Sequence, residues 1–147
     1  MSIRICALVV SGGLVLSSVI ACGGDNPTAP TVNVPFSVTD LIVGSGATAS
    51  AGQTVTVAYT GWLYEEGAAD NKGILFDQAM AEAPFSFVLG EGQVIAGWDQ
   101  GLDGMKVGGR RRLVIPPALA YGTGGAGGGL IPPNATLIFE VELLGVS

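Results

Sequence analysis

The residues that could carry chemistry in this chain are Trp98, Tyr59, the Phe76-Asp77 pair, Phe85, Tyr121 and Ile131. What accompanies them limits the chemistry. The 147 residues include no histidine, so a Ser-His-Asp triad, a Cys-His pair and a His-ligated metal centre are excluded. No metal and no cofactor is expected. Instead, large apolar and phenolic side chains stand beside glycine, proline or a carboxylate. Tyr59 precedes Thr60-Gly61, Phe76 precedes Asp77, Phe85 follows Pro84, Tyr121 precedes Gly122 and Ile131 precedes Pro132. Packed inward they would be ordinary core. At strand ends and loop starts they suit a concave, aromatic-walled hollow with few polar groups. Trp98 carries the same two readings. Ile95, Trp98, Leu102 and Met105 recur at i, i+3, i+7 and i+10, one face of a helix in the stretch 90–104 and just beyond it. The indole is either a floor for a sheet or the floor of an open pocket.

The elements that must position these residues are mostly strands. Residues 38–43 form a first candidate. Residues 53–60 alternate most clearly, with Val55, Val57 and Tyr59 on one face and Thr54, Thr56 and Ala58 on the other. An acidic, Gly-containing segment at 65–73 reads as a hairpin loop before a strand at 74–77. Residues 85–89 put Phe85, Phe87 and Leu89 on one side, and a strand at 111–115 stops at Pro116-Pro117. Residues 137–144 place Leu137, Phe139, Val141 and Leu143 on one face and Glu140 and Glu142 on the other. The Gly-rich stretch 122–129 is not a phosphate loop, because no Gly-Lys-Ser/Thr and no helix follow it. The class expected is α+β: an antiparallel sheet of five or six strands folded against one short helix.

The net charge is −6, with 6 basic and 12 acidic residues. Nucleic acid is a poor partner for such a chain. Arg110, Arg111 and Arg112, the only basic cluster, read as a solvated strand end rather than a phosphate site. Residues 1–21 combine Arg4 with an apolar stretch too short to span a membrane comfortably, which fits a secretory signal peptide. Its end, Val19-Ile20-Ala21-Cys22, resembles the bacterial lipobox, in which the chain is cut before a cysteine that is then lipidated. An ordinary signal peptide with an incidental cysteine is the alternative. Cys6 would leave with the leader, so Cys22 would have no disulfide partner. Residues 22–35 read as a Pro/Gly-rich tether, and residues 36–147 as the folded domain. The expected location is the bacterial cell envelope, with the domain outside the cytoplasm and attached to a membrane through the lipid on Cys22.

Six segments in order carry a family resemblance. They are Tyr-Thr-Gly at 59–61, Phe-Asp at 76–77, Val-Ile-Ala-Gly-Trp at 94–98, Gly-Met-Lys-Val-Gly at 104–108, Ala-Tyr-Gly at 120–122, and Ile-Pro-Pro-Asn-Ala-Thr-Leu-Ile-Phe-Glu-Val-Glu-Leu-Leu at 131–144. Over about 100 residues the chain resembles the FKBP-type peptidyl-prolyl cis-trans isomerases. The resemblance implies a bent antiparallel sheet wrapped on one short helix, with the active pocket between them. It implies that Trp98 is the pocket floor, and that Tyr59, Phe85 and Phe139 are walls with Phe76 beside them. Val94 and Ile95 become the rim, where the Ile95 N–H donates to a ligand carbonyl. Tyr121 is a second donor, Asp77 a carboxylate near the strained imide and Ile131 an apolar residue on the loop above. Proline-containing polypeptides are the implied substrates and the family's macrolides the implied inhibitors.

The chain departs from the family in three ways, one of them a loop at 65–73 longer than in its small members. Met80 stands where the family often has a basic residue, which would loosen the Tyr59–Asp77 network. The loop at 122–129 has extra glycines, which bears on substrate preference. The last two departures motivate an alternative, a non-catalytic chaperone or scaffold that binds Pro-containing segments. A purely structural lipoprotein is the third reading.

Overall fold

The computed structural model describes residues 33–147. The expected signal peptide, Cys22 and most of the expected tether lie outside the described residues. Six strands and one helix follow in the order β1 (Ser37–Ile42), β2 (Thr54–Tyr64), β3 (Lys72–Ala79), β4 (Phe85–Val88), α1 (Ala96–Gly101), β5 (Arg110–Ile115) and β6 (Leu137–Val146). All pairings are antiparallel, and the sheet runs β1-β5-β6-β2-β3 with β4 also on β2. β2 is the central element. One edge pairs β6 along Val55–Leu63, while the other takes β4 over Thr54–Val57 and then β3 over Tyr59–Tyr64. Changing partner midway lets the sheet curve, and register shifts at Gly61, Trp62 and Tyr64 add to the bend.

The period-2 pattern read in the sequence is what the core uses. Val55, Val57, Leu113, Ile115, Leu137, Val141 and Leu143 are fully or almost fully buried on the concave face. Trp98, Leu102 and Met105 close the core from the other side. The regular helix is shorter than the apolar spacing suggests: it ends at Gly101, and Leu102 and Met105 reach the core from the turn that follows.

Two glycines allow α1 to lie close against β5. A β-carbon on Gly97 would fall 2.5 Å from Ile115 Cγ2, and one on Gly101 would fall 2.6 Å from Leu113 Cδ2. Spaced four apart, they form one helix face against alternate residues of a single strand. Any larger residue would push the helix, and Trp98 with it, away from the sheet.

The three arginines differ from the expected solvated strand end. Arg111 donates to Asp40 Oδ1 at 2.6 Å and to the Gly101 carbonyl at 2.8 Å, tying β5 to both β1 and α1. Arg110 and Arg112 reach Glu140 at 2.7 and 3.0 Å, and Lys72 reaches it at 2.6 Å. Glu140 lies on the outer face as its alternation requires, yet it is only 7% exposed. Three cations converge on one carboxylate because β5, β6 and the start of β3 present alternate residues to the same face. Burial alone would raise its pKa. The hydrogen bonds from Lys72 and Arg112 and the charges of Lys72 and Arg110 outweigh that, and the carboxyl sits below its ordinary value. Lys72 also lies 4.4 Å from the Trp62 ring centroid.

Candidate active site

The concave side of the sheet and α1 enclose an open hollow of about 270 Å³, close to the lower end of small-ligand pockets at about 300 Å³. Tyr59 comes from β2, Phe76 and Asp77 from β3, Phe85 from β4, Trp98 from α1 and Phe139 from β6. Val94 and Ile95 come from the segment before α1, and Tyr121 from the β5–β6 connection. Nine of the ten positions singled out in the domain therefore meet around one space, although they are spread over 81 residues of chain (139 − 59 + 1 = 81).

Trp98 is 4% exposed and forms part of the lining. The other rings stand on edge around it: Tyr59 at 4.8 Å and 83°, Phe139 at 5.2 Å and 86°, and Phe85 at 6.3 Å and 71°. Phe76 meets Phe139 at 5.5 Å and 88°. Edge-to-face contact sets the positive rim of one ring on the negative face of the next, so the cage holds its shape without a ligand. The indole N–H has no oxygen or nitrogen acceptor among the described residues.

Gly61 is a residue that sequence reasoning did not single out for the site. A β-carbon there would lie 2.8 Å from both Phe139 Cε1 and Phe76 Cζ. Its lack of a side chain is what admits two of the walls. Gln93, also unforeseen, lines the hollow, and its Oε1 accepts the Val88 N–H at 2.9 Å. That bond and the Asp99 carboxylate, which accepts the Gly90 and Gly92 N–H groups at 2.8 and 3.2 Å, pin the segment leading into α1. Neither glutamine nor aspartate advertises such a role by pattern, because their partners are backbone groups brought close by the fold.

Asp77 is the one carboxylate of the hollow. The Tyr59 hydroxyl donates to its Oδ2 at 2.6 Å, and the Gln78 N–H donates to its Oδ1 at 2.9 Å. No cation lies within ion-pair distance of Asp77 among the described residues, and Met80 is exposed at the position suspected of loosening the network. The phenol–carboxylate bond is nevertheless short. Burial raises the Tyr59 pKa well above that of an ordinary phenol, and the hydrogen bond and charge of Asp77 raise it further. Burial, then the Asp77 charge, also raises Tyr121. Both phenols therefore remain neutral hydrogen-bond donors across the working pH range. The Ile95 N–H, just ahead of α1, has no intramolecular acceptor among the described residues.

Ile131 departs from expectation. It is buried in the core and does not line the hollow. The reason lies in the Gly-rich loop, which is folded rather than extended. Ala126 and Ile131 exchange N–H to carbonyl bonds at 3.0 Å, and the Asn134 N–H donates to Gly122 at 2.8 Å. This closed turn carries Ile131 inward. Gly125, at φ 64°, sits against the Ile131–Pro133 backbone, where a β-carbon would collide.

The site so built offers an apolar floor and walls, two neutral phenols, one carboxylate and a free backbone N–H. It suits a protein that takes an apolar, ring-sized group and acts without nucleophile or acid–base pair. The FKBP-type peptidyl-prolyl cis-trans isomerase pattern matches residues 46–144. An FK506-binding protein of Streptomyces anulatus is 47% identical over 84% of this chain and 91% of its own. One from Neisseria meningitidis serogroup B is 51% identical over 74% and 94%. The crystal structure of a peptidyl-prolyl cis-trans isomerase from Pseudomonas syringae superposes with a TM-score of 0.63 at 41% identity, covering 76% of this chain and 75% of that one. The chain belongs to the FKBP-type peptidyl-prolyl cis-trans isomerase family and is a peptidyl-prolyl cis-trans isomerase.

Proposed function

We propose that this isomerase works on exported polypeptides from a lipid anchor on Cys22, and that it twists the X–Pro bond by desolvation in the hollow floored by Trp98. The observation that carries the mechanism is the ring cage around Trp98, closed on one side by the 2.6 Å Tyr59–Asp77 bond. An X–Pro imide keeps a rotation barrier of about 18–20 kcal/mol because resonance holds it planar. The planar form separates charge and is favoured by water; the twisted form has lost that separation. A proline ring on the indole, between Tyr59, Phe85 and Phe139, leaves the imide in surroundings that favour the twist. The Ile95 N–H and the Tyr121 hydroxyl hold the flanking carbonyls. Asp77 faces the imide and is held in place by Tyr59. Lowering the barrier by about 5 kcal/mol corresponds to roughly 10³- to 10⁴-fold acceleration.

The same hollow is where a macrolide of the FK506 class would bind, as the names of the relatives indicate for those proteins. The Val19-Ile20-Ala21-Cys22 leader end supports acylation and an envelope location. The deciding experiment follows cis-to-trans exchange of a Leu-Pro peptide by NMR with and without FK506. Acceleration that FK506 abolishes is expected. Binding of the peptide without acceleration would make the site a Pro-peptide-binding module instead.

A further inference from the structure

Leu41, Ile42 and Val43 are three consecutive apolar residues, 42, 56 and 76% exposed, at the end of β1. Among the described residues β1 is an edge strand, paired only with β5. Such a run on an open sheet edge invites association unless something covers it. Gly44, next in the chain, lies against the backbone of Lys106 and Val107, and Ile42, Val43 and Lys106 share the lining of a small hollow of about 90 Å³. Lys106 is also the only basic residue among the described residues without an ion pair. The apolar run therefore has one free ammonium group at its side, in an otherwise acidic chain.

We propose that this β1 edge docks on the surface of a phospholipid bilayer, with residues 41–43 entering the headgroup–acyl boundary and Lys106 meeting lipid phosphate. The inference rests on the reading of Cys22 as acylated. Phe36, one residue ahead of β1, is 14 residues from Cys22 (36 − 22 = 14). A chain of that length reaches at most about 50 Å. The first part of the domain to follow the anchor is thus the edge with the uncovered apolar run. Tethering makes docking intramolecular, so a patch too small to hold a free protein on lipid suffices. Apolar side chains flanked by one cation match an interface of acyl chains under phosphate. The hollow is lined from β2, β3, β4, β6, α1, the segment before α1 and the β5–β6 connection, with no residue of β1 or β5. Docking by β1 would therefore leave it open to polypeptide in the aqueous phase.

The test uses the acylated full-length product in phospholipid vesicles, with a nitroxide placed on Val43→Cys or, as a control, on Glu66→Cys in the β2–β3 turn. Acylation blocks Cys22, so each variant carries one label. Oxygen, which concentrates in lipid, should dominate collisions at position 43, and a water-soluble nickel complex should dominate at position 66. Nickel dominance at both positions, with the acyl chains confirmed by mass, would overturn the docking and leave the anchor standing. Label–label broadening at position 43 would mean that a second copy covers the edge, and would also overturn it. A mass without acyl chains would remove the anchor and the docking together.

Discussion

At Tyr59 one side chain does three things: it walls the hollow, packs edge-on against Trp98 and donates to Asp77. Tyr59→Phe keeps the first two and removes the third. Hydrogen bonds to charged groups contribute about 1.5–3 kcal/mol, and Asp77 is exposed, so a loss near the lower end is expected. The kcat/KM for a Leu-Pro peptide should fall about tenfold with the fold intact; an unchanged value would show that the pair takes no part in the twist. Because the phenol pKa is raised, exchange should be flat between about pH 6 and pH 9. The stability linked to Tyr59 is complete below about pH 10 and is lost as pH rises through the folded value.

Glu140 shows the opposite sign. Its folded pKa lies below its ordinary value of 4.5, so the stability it supplies is present above that value and is lost as pH falls through the folded value. Glu140→Gln strands Lys72, Arg110 and Arg112 around a neutral amide. Because those cations are partly solvated, a cost of about 2 kcal/mol is expected rather than the full cost of breaking a buried pair. Urea titrations across pH 3–7 would check both points: the variant should lose stability at neutral pH and show a shallower acid limb.

Among the elements, α1 is the one whose sequence preference and packing disagree. Alanine at Gly97 would gain about 1 kcal/mol of helix propensity. Its β-carbon would meet a fully buried Ile115 at 2.5 Å, and overpacking costs about 1–3 kcal/mol. Packing should win. Gly97→Ala is expected to lower stability by about 1 kcal/mol and to shift Trp98 fluorescence as the floor lifts. Higher stability with unchanged fluorescence would show that β5 gives way easily. Gly61→Ala should act on the site rather than the core, by displacing Phe76 and Phe139.

For the whole molecule, the residues of the hollow come from four strands, one helix and two connecting segments, so the site exists only when the sheet is closed on α1. A ligand that binds only this state stabilises it by mass action, by about 2.7 kcal/mol at one hundred times its dissociation constant. For a domain of this size that is a rise in Tm of roughly 10 °C. Calorimetry with FK506 checks it, and a melting point unmoved at saturating macrolide would count against the hollow as the binding site.

Alternation along 53–60 and 137–144, the helical spacing around Trp98 and the absence of histidine were each readable along the chain, because backbone periodicity and residue chemistry are local properties. They led to an antiparallel sheet on one helix, while nine residues of the hollow were implied by the resemblance of six ordered segments to the FKBP-type isomerases. What no local pattern could decide was which elements meet. Alternation put Glu140 on the face opposite the apolar residues, but only the assembled sheet shows Lys72, Arg110 and Arg112 converging on it. Ile131 looked like part of the site until the closed turn at Ala126 drew it into the core. Gly61 looked like punctuation until Phe76 and Phe139 arrived from distant strands. Contacts between residues far apart in sequence depend on the register and curvature of the assembled sheet, and only the tertiary structure sets these.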